Sequence, residues 1–498
     1  MRTKRIRVIG GGLAGPEAAL QAAKRGCHVD LYEMRPTRST EAHQTSDFAE
    51  LVCSNSLKSE SENTAPWLLK QEMRRAGSIL LAEADASAVP AGHALAVDRV
   101  EFSKRVAARI EAYKTGPNPL ITVHREEVTH LEEDDPNTLT ILASGPLTSP
   151  ALAAELQRLT GSDHLAFYDS ISPIVDATTI NMEKVYFAAR YDKGTADYIN
   201  CPFTKEEYDR FLEALTTAEA VPAKSWEQIP ILTDPSQTCH PERSAAESKD
   251  LRLSVATKAP EKLQYFEGCL PIEETARRGR DTLRFGPMKP VGLTDPKTGR
   301  WPYAVVQLRQ ENLRADSYNL VGFQNHLKYG EQSRVLRLIP GLEDATFLRY
   351  GQIHRNTYIH APSLLTETLQ LKSHPSIMIA GQLSGVEGYT ESIASGMLAG
   401  IYAACLANGQ AATPAPRQTA NGSLIHYITH SETKKFQPAN ITFDLLPPLE
   451  EDLRRRIRDK KERHRIQCER ALSAWDQWLG ALSSIRQPDS YIRASLLT

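Results

Sequence analysis

The pattern of apolar residues at the start of the chain changes its period over a short distance. In RIRVIGGGLAGPEAALQAAKRGCHVDLYE, an apolar run at residues 6–9 precedes a glycine-rich turn, a stretch of small residues and a second apolar run. This order predicts a β-strand, a tight turn, a closely packed helix and a second strand that ends at Glu33. A strand, a glycine turn and a helix in succession are typical of a doubly wound α/β sheet.

The glycine-rich turn has the spacing of a dinucleotide-binding site. Gly10, Gly12 and Gly15 form G-x-G-x-x-G, in which the first glycine permits the turn and the second lets the backbone approach a pyrophosphate. The third lets helix and strand pack closely, and the start of the helix offers N–H groups to the phosphates. We therefore predict cofactor contacts along the whole turn, which comprises Gly10, Gly11, Gly12, Leu13, Ala14 and Gly15.

Two further segments near this turn extend the predicted site. Glu33, at the end of the second strand, is expected to accept hydrogen bonds from a ribose diol, and its charge disfavours a 2′-phosphate. The run TLTILASG, residues 138–145, predicts a parallel strand that returns beneath the cofactor and ends at Gly145. This pattern predicts a bound dinucleotide but does not distinguish NAD from FAD.

A second glycine-rich segment lies far along the chain. SIMIAGQLSGVEGYTESIASGMLAGIYAA, residues 376–404, repeats the strand, glycine turn and small-residue helix. A carboxy-terminal repeat of this kind is typical of two-part FAD folds and adds Gly381, Gly388 and Glu391 to the predicted cofactor site. The alternative is an ordinary closely packed helix without a ligand.

The region between the two glycine segments has a different pattern. Short β-like runs and one amphipathic helical stretch predict an α+β insertion at residues 181–329. Within it, residues 233–260 are polar and rich in Ser, Ala and Pro, which predicts a flexible loop. Beyond residue 422, the segment EEDLRRRIRDKKERHRIQCERALSAWDQWL predicts a basic helix, which forms either a solvated surface or a phosphate contact.

Composition sets limits on the function but does not assign it. The formal net charge of −2 over 498 residues gives no overall basic field, so bulk charge neither supports nor excludes an RNA partner. Seven cysteines without a CxxC pair predict reduced thiols and no metal site. We also expect a cytoplasmic protein without a membrane segment, because no run approaches ~20 uninterrupted apolar residues.

Short motifs spread over the chain together resemble one enzyme family. They are GGGLAGPEAA, FAELVCSNSL, EMRRAGS, VPAGHALAVDR, GPLTS, ADYINCP, FEGCLPIEE, FGPMKPVGL, VVQLRQE, HRNTY and GQLSGVEGYTES. By these motifs, the chain is similar to the folate- and FAD-dependent tRNA (uracil-5-)-methyltransferases, from the first strand to about residue 450. FAELVCSNSL and FEGCLPIEE distinguish this family from the larger flavoproteins that modify the tRNA wobble uridine.

The resemblance implies both a fold and an activity. The expected fold is α/β, with a Rossmann-type FAD-binding domain split by an α+β insertion domain and followed by a C-terminal helical segment. The expected bounds are 1–180 and 330–422 for the two parts of the FAD-binding domain, 181–329 for the insertion and 423–498 for the C-terminal segment. The implied reaction is methylation of carbon 5 of the T-loop uridine, position 54 of tRNA. Its carbon comes from 5,10-methylenetetrahydrofolate and its electrons from reduced FAD, which NAD(P)H regenerates.

Two cysteines carry the expected chemistry. Carbon 5 of uracil becomes nucleophilic when a thiolate adds to carbon 6, and the thiol leaves later by β-elimination. The resemblance makes Cys269 this nucleophile and also gives Cys53 a catalytic role, in removal of the carbon-5 proton or in a resolving step. Which thiol does which is not fixed by the sequence. Arg277, Arg278 and Lys289 follow Cys269 and are expected to favour its thiolate or to bind phosphates.

Several alternatives remain at this point. His354, in HRNTY, is a candidate to bind the pterin of the folate, and a neutral surface histidine is the alternative. The whole chain is alternatively a flavoenzyme that modifies the wobble uridine or a ribosomal RNA uridine. A third reading is a flavin-containing protein that binds tRNA without reacting with it.

Overall fold

The structure is a computed structural model, and it describes most of the chain. The described residues are 4–40, 42–116, 118–132, 135–161, 165–192, 195–221, 270–432 and 436–483. Cys269 and the predicted loop 233–260 lie outside the described residues, as do residues 484–498.

The described chain alternates strands and helices throughout. The strands are β1 (Arg5–Ile9), β2 (Val29–Tyr32), β3 (Ser56–Ser59), β4 (Ala88–Val89), β5 (Ala94–Val97), β6 (Ile121–His124), β7 (Thr138–Leu142), β8 (Leu165–Ser170), β9 (Ile174–Asp176), β10 (Tyr186–Ala188), β11 (Tyr198–Phe203), β12 (Ala304–Gln310), β13 (Ser317–Leu320), β14 (Phe347–Arg349), β15 (Ile353–Tyr358) and β16 (Ile377–Ile379). The helices are α1 (Ala14–Lys24), α2 (Ala65–Ala76), α3 (Ile79–Ala86), α4 (Arg99–Thr115), α5 (Pro150–Thr160), α6 (Lys205–Thr217), α7 (Ile272–Arg277), α8 (Thr282–Phe285), α9 (Tyr329–Leu336), α10 (Ala361–Leu364), α11 (Tyr389–Ala407), α12 (Ala420–His430), α13 (Glu451–Arg456) and α14 (Lys460–Ser483).

The described chain contains two units, each built around its own sheet. A parallel sheet of five strands forms the centre of the first unit. Its strand order is β16-β7-β1-β2-β6, and each neighbouring pair is parallel. Its strands are rich in Val, Ile and Leu, because a parallel sheet is covered on both faces. The predicted α/β class is confirmed: β7, from the first of the two later apolar runs, pairs with β1, and β16, from the second, pairs with β7.

Helices α1 and α11 cross at very short range because both carry small residues. A Cβ at Gly396 would lie 2.3 Å from the carbonyl oxygen of Ala14, and one at Gly400 would lie 2.5 Å from that of Ala18. Helix α11 is long and apolar enough to cross a bilayer, yet 94% of the relevant window is buried inside the protein. Its apolar composition is therefore explained by its position in the core.

An antiparallel sheet of six strands forms the centre of the second unit. Its order is β10-β11-β12-β13-β9-β14, and it covers a separate apolar core together with α6 and α9. Strands β9 and β14 come from outside the range 181–329 that the sequence predicts for the insertion. We therefore propose wider bounds for this unit, 174–349. Strand β9 pairs with β13 of its sheet, and the edge strand β14 pairs with β9.

Buried polar groups join the two units. The guanidinium Nε of Arg99, on α4, lies 2.7 Å from Glu311 Oε2, which follows β12. The Asn55 side-chain amide donates to the carbonyl oxygen of Gln310 at 2.9 Å, and its Oδ1 accepts from Arg309 at 3.0 Å. Burial lowers the pKa of Arg99, but the charge and hydrogen bond of Glu311, together with the nearby Tyr389 and Cys53, raise it by more, so the net pKa is raised.

Replacing Glu311 with glutamine is expected to destabilise the protein by about 3–5 kcal/mol, because the buried Arg99 charge would lose its counter-charge. Urea unfolding of the two proteins measures this difference. The matched control is Glu111→Gln, which removes an ion pair whose side chains are about half exposed and has little measurable effect. Equal unfolding midpoints for the wild type and Glu311→Gln would contradict the assignment of this pair as a joint between the units.

The basic C-terminal segment forms two helices, so the prediction of one continuous helix is wrong. Ile457, directly after α13, is extended with φ −99° and ψ 105°, and this ends the helix before α14 begins. Helix α14 packs against α2, where the indole N–H of Trp475 donates to the carbonyl oxygen of Glu72 at 2.7 Å. On the exposed side, Arg465 pairs with Glu462 at 2.6 Å. Contact of this surface with phosphate stays a prediction.

Candidate cofactor and active site

The central cavity of the first unit has a volume of about 350 Å³. Four segments that line it follow the carboxyl ends of β1, β2, β7 and β16, where parallel α/β sheets bind ligands. A fifth is the loop that leads into β3. The predicted site residues on its walls are Gly10, Gly11, Gly12, Leu13, Ala14, Glu33, Cys53, Gly145, Gly381 and Gly388.

The turn between β1 and α1 is held by close backbone contacts. Gly10 has φ +120°, and a Cβ there would lie 2.3 Å from the carbonyl oxygen of Ala143, at the end of β7. A Cβ at Gly15 would lie 1.9 Å from the carbonyl oxygen of Gly10. Gly15 therefore contacts the backbone of the turn on the side away from the cavity, and it does not line the cavity.

The open part of the same turn fits the phosphates of a dinucleotide. A Cβ at Gly12 would have no atom within 4 Å, and the same holds at Gly145 across the cavity. No side chain caps the N-terminus of α1, so its first N–H groups and its positive dipole end are directed at this space. The glycine turn, the open helix end and the acid after β2 together fit FAD.

Glu33 is fixed as a carboxylate at the edge of the cavity. Its Oε2 accepts a hydrogen bond from the backbone N–H of Gly11 at 2.7 Å, and its Oε1 accepts from Arg35 Nε at 2.8 Å. Burial alone raises the pKa of Glu33, but the hydrogen bond and charge of Arg35 lower it below the usual value. The group is therefore ionised near neutral pH and suited to accept from ribose hydroxyls.

Cys53 lies on the cavity wall in the irregular loop before β3. Its backbone N–H donates to the hydroxyl oxygen of Tyr389 at 2.7 Å, and the N–H of Ser54 donates to the same oxygen at 3.2 Å. Tyr389 is the first residue of α11 and also lines the cavity. Burial raises the pKa of Tyr389, so its hydroxyl stays protonated. The cysteine loop is therefore attached to the second glycine segment.

Two arginines give this cysteine cationic surroundings. The guanidinium groups of Arg99 and Arg349 both interact electrostatically with Cys53. Arg99 donates to the carbonyl oxygen of Leu51 at 2.8 Å, and Arg349 donates to that of Ala42 at 3.2 Å. Cationic neighbours of this kind favour the thiolate form of a cysteine, which is the nucleophilic form.

Glu391 lies behind the cavity wall. It is fully buried, and its Oε1 accepts from Lys58 Nζ at 2.6 Å and from the backbone N–H of Ile441 at 3.1 Å. Lys58 itself lines the cavity. A Cβ at Gly388 would lie 2.7 Å from Lys58 Nζ, so the backbone of the second glycine turn packs directly against the Lys58–Glu391 ion pair. Glu391 thus contacts the cavity through Lys58.

The predicted phosphate contacts Arg277, Arg278 and Lys289 do not line the described part of this cavity. Arg277, at the end of α7, pairs with Glu274, and neither Arg278 nor Lys289 lines the cavity. His354 lies in β15, where its backbone pairs with β8, and its side chain is not among the described ones. Their contacts with tRNA and folate stay predictions.

Sequence reasoning missed several residues of the site. Lys58 directly follows the motif VCSNSL, and Tyr389 lies within GYTES. Both are therefore sequence neighbours of predicted site residues and could have been predicted. Arg99, at the start of α4, is the last residue of the motif VPAGHALAVDR, whereas Arg349, in β14, lies in none of the motifs. Their positions near Cys53 depend on tertiary contacts alone.

The other described cysteines are packed in the interior. Cys27, Cys201, Cys405 and Cys468 are all buried. Burial raises the pKa of Cys27 to about 11 and that of Cys468 to about 12, and it raises that of Cys201 further. Thiols of this kind are unreactive near neutral pH. Among the described cysteines, Cys53 differs by its partial exposure on a cavity wall.

The fold and the cavity define a two-part α/β dinucleotide-binding protein of the flavoprotein class. The chain matches the family profile described as "Glucose inhibited division protein A" over residues 5–259 and 232–411. The same fold occurs in GidA of Aquifex aeolicus, with a TM-score of 0.64 over 96% of this chain and 76% of that one, at 15% sequence identity.

Much closer relatives share nearly the full length. A protein of Koribacter versatilis (strain Ellin345) is 64% identical over 97% of this chain and 99% of its own. One of Solibacter usitatus (strain Ellin6076) is 57% identical over 96% of this chain and 100% of its own. Both are named "Methylenetetrahydrofolate--tRNA-(uracil-5-)-methyltransferase TrmFO". The chain belongs to this TrmFO family.

Proposed function

We propose that this chain methylates carbon 5 of the T-loop uridine at position 54 of tRNA and so forms ribothymidine. The carbon source is 5,10-methylenetetrahydrofolate, and the cofactor is FAD, reduced by NAD(P)H. The observation that carries the proposal is the position of Cys53 on a wall of the cavity that the glycine turn forms. The names of relatives at 64% and 57% identity support the same reaction. The expected location is the cytoplasm.

The first unit provides the cofactor site. The turn that contains Gly12 and the N-terminus of α1 bind the pyrophosphate, and Glu33 accepts from the ribose hydroxyls. Bound reduced FAD supplies the hydride that completes the methyl group. The open side of the cavity, near Cys53 and Lys58, is left for the base and the folate.

The cysteines act on the uracil ring. Addition of one thiolate to carbon 6 makes carbon 5 nucleophilic, and carbon 5 then attacks the methylene carbon of the folate. Loss of the carbon-5 proton then expels tetrahydrofolate through its nitrogen and leaves an exocyclic methylene on carbon 5. A hydride added to this methylene forms the methyl group and expels the thiol from carbon 6 by β-elimination, which restores the double bond between carbons 5 and 6. Arg99 and Arg349 interact electrostatically with Cys53, and the hydroxyl of Tyr389 holds the loop that carries it. Cys269 is proposed as the second thiol of this pair.

The tRNA must present its base to this cavity. The T-loop uridine is stacked inside folded tRNA, so it has to be extruded before it reaches a thiol. Arg277, Arg278 and Lys289 are the proposed phosphate contacts, on the second unit. Strong salt dependence of tRNA binding is expected, since phosphate contacts release counterions.

Mapping of the methylated nucleotide tests the proposal. The full chain is incubated with FAD, methylenetetrahydrofolate and NADH, and with either a tRNA transcript, the same transcript with cytidine at position 54, or a ribosomal RNA fragment. We expect 5-methyluridine at position 54 of the first RNA alone. Methylation of the wobble uridine or of the ribosomal fragment would support a related flavoenzyme instead. Binding of tRNA without any methylated product would support the non-catalytic alternative.

A further inference from the structure

A cluster of two histidines and one glutamate lies on the surface of the first unit, outside the central cavity. His426 and His430 are on α12, and Glu367 is in the turn after α10. We call these three residues the His–Glu triad. Each offers one ligand atom, and these atoms all lie within 4.8 Å of one another. None of the three lines the central cavity, so the proposed methylation does not use them.

We propose that the His–Glu triad binds a divalent metal ion of the zinc class. Two imidazoles and one carboxylate are a donor set that suits zinc, and three protein ligands leave a fourth position to water. Magnesium and calcium prefer all-oxygen ligands, so the site discriminates against both. The proposal is independent of the proposed methylation.

The distances within the triad fit one bound ion. Metal–nitrogen and metal–oxygen bonds of about 2.0–2.2 Å in a tetrahedral site put ligand atoms roughly 3.4 Å apart. Glu367 Oε1 lies 3.2 Å from His426 Nδ1 and 3.8 Å from His430 Nδ1. The imidazoles stack nearly parallel, so both rings have to rotate out of the stack for their nitrogen lone pairs to converge on an ion.

The backbone holds the three ligands in position before an ion binds. His426 and His430 are four residues apart on one helix, so their side chains share one face, and their rings stack with centroids 4.2 Å apart. Thr429 Oγ1 lies 2.9 Å from His430 Nδ1, and an ion bound at this nitrogen replaces that hydrogen bond. The turn that carries Glu367 is closed by the hydrogen bond from Thr366 N–H to the carbonyl oxygen of Gln370, at 2.9 Å.

The accessibility of the triad fits uptake of an ion from solution. The side chains of Glu367, His426 and His430 are 43%, 38% and 51% exposed. An ion there would join α12 to the 366–370 turn and would therefore stabilise the fold without entering the reaction.

Zinc titration of the untagged full chain tests the proposal. Because thiols also bind zinc, the titration uses the Cys53→Ala, Cys269→Ala background, stripped of metal with a chelator. We expect one zinc ion per chain by calorimetry, no binding of magnesium, and a higher unfolding temperature with zinc. Loss of a ligand must weaken binding by at least the roughly 10–100-fold that loss of an outer-shell partner causes.

Two variants and one control make the test specific. His430→Ala and Glu367→Gln each change a half-exposed side chain, so both are expected to fold, and both are expected to weaken zinc binding at least tenfold. His130→Ala is the control, because it removes a surface histidine paired with Glu155 at 2.7 Å but without a second imidazole. The control should bind zinc as the parent does. Absence of zinc binding in the parent, or equal affinity in His430→Ala, would overturn the proposal.

Discussion

The Cys53→Ala variant is expected to bind FAD as the wild type does and to form no measurable ribothymidine. Cys53 lies on the cavity wall, and the proposed mechanism uses it either as the nucleophile or in proton removal. Loss of a general acid–base group alone lowers the rate roughly 10²–10⁴-fold. Loss of a nucleophile lowers it further. Product formation from tRNA, with the visible flavin spectrum recorded on the same sample, measures both effects.

A buried cysteine serves as the control for this variant. Cys405→Ala changes a thiol on α11 that is buried and does not line the cavity, so it should keep both the colour and the activity. Wild-type activity in Cys53→Ala would contradict a catalytic role. Loss of the yellow colour in Cys53→Ala would mean that the residue supports the cofactor site, and that the lost activity is indirect.

Two substitutions in the glycine turn are expected to differ in their effect on folding, since one leaves the fold intact and weakens FAD binding and the other disrupts the fold. Gly12→Ala adds a methyl group where no protein atom lies within 4 Å, so the protein should fold. The methyl group would occupy the space of the pyrophosphate, and FAD affinity should fall at least about tenfold, or ~1.4 kcal/mol. Gly15→Ala would place a Cβ 1.9 Å from the carbonyl oxygen of Gly10, which forces α1 away from β1. Little folded protein is expected.

Circular dichroism and FAD titration separate these two outcomes. The control is Gly330→Ala, in α9, where a Cβ has open space and no strained φ, so neither folding nor FAD binding should suffer. Unchanged FAD affinity in Gly12→Ala would contradict the placement of the pyrophosphate along this turn. Full recovery of folded Gly15→Ala would show that the turn tolerates a side chain behind it.

The local half of the site could be predicted from the sequence. The glycine turn and Glu33 lie within one strand–turn–helix–strand segment, so spacing alone brings them together. Strands β7 and β16 were also predictable, because an apolar run that ends in small residues is typical of a buried parallel strand. These features depend on neighbours in sequence.

The other half depends on contacts between distant segments. The Cys53 loop reaches the hydroxyl of Tyr389 across a sequence separation of 336 residues, and Asn55 reaches Gln310 across 255. No periodicity marks such pairs. Strands β9 and β14 lie outside the predicted insertion but belong to its sheet, because β9 pairs with β13 and β14 pairs with β9. His426 and His430 stand four residues apart in the sequence, but the helix α12 that makes their side chains neighbours was not predicted.

A crystal structure of the full chain with bound FAD tests the central claim most directly. The account predicts the pyrophosphate along the turn that contains Gly12, the ribose hydroxyls at Glu33, and the isoalloxazine ring on the side of the cavity that Cys53 and Lys58 line. FAD bound elsewhere, or a flavin ring out of reach of the Cys53 thiol in this complex, would contradict it.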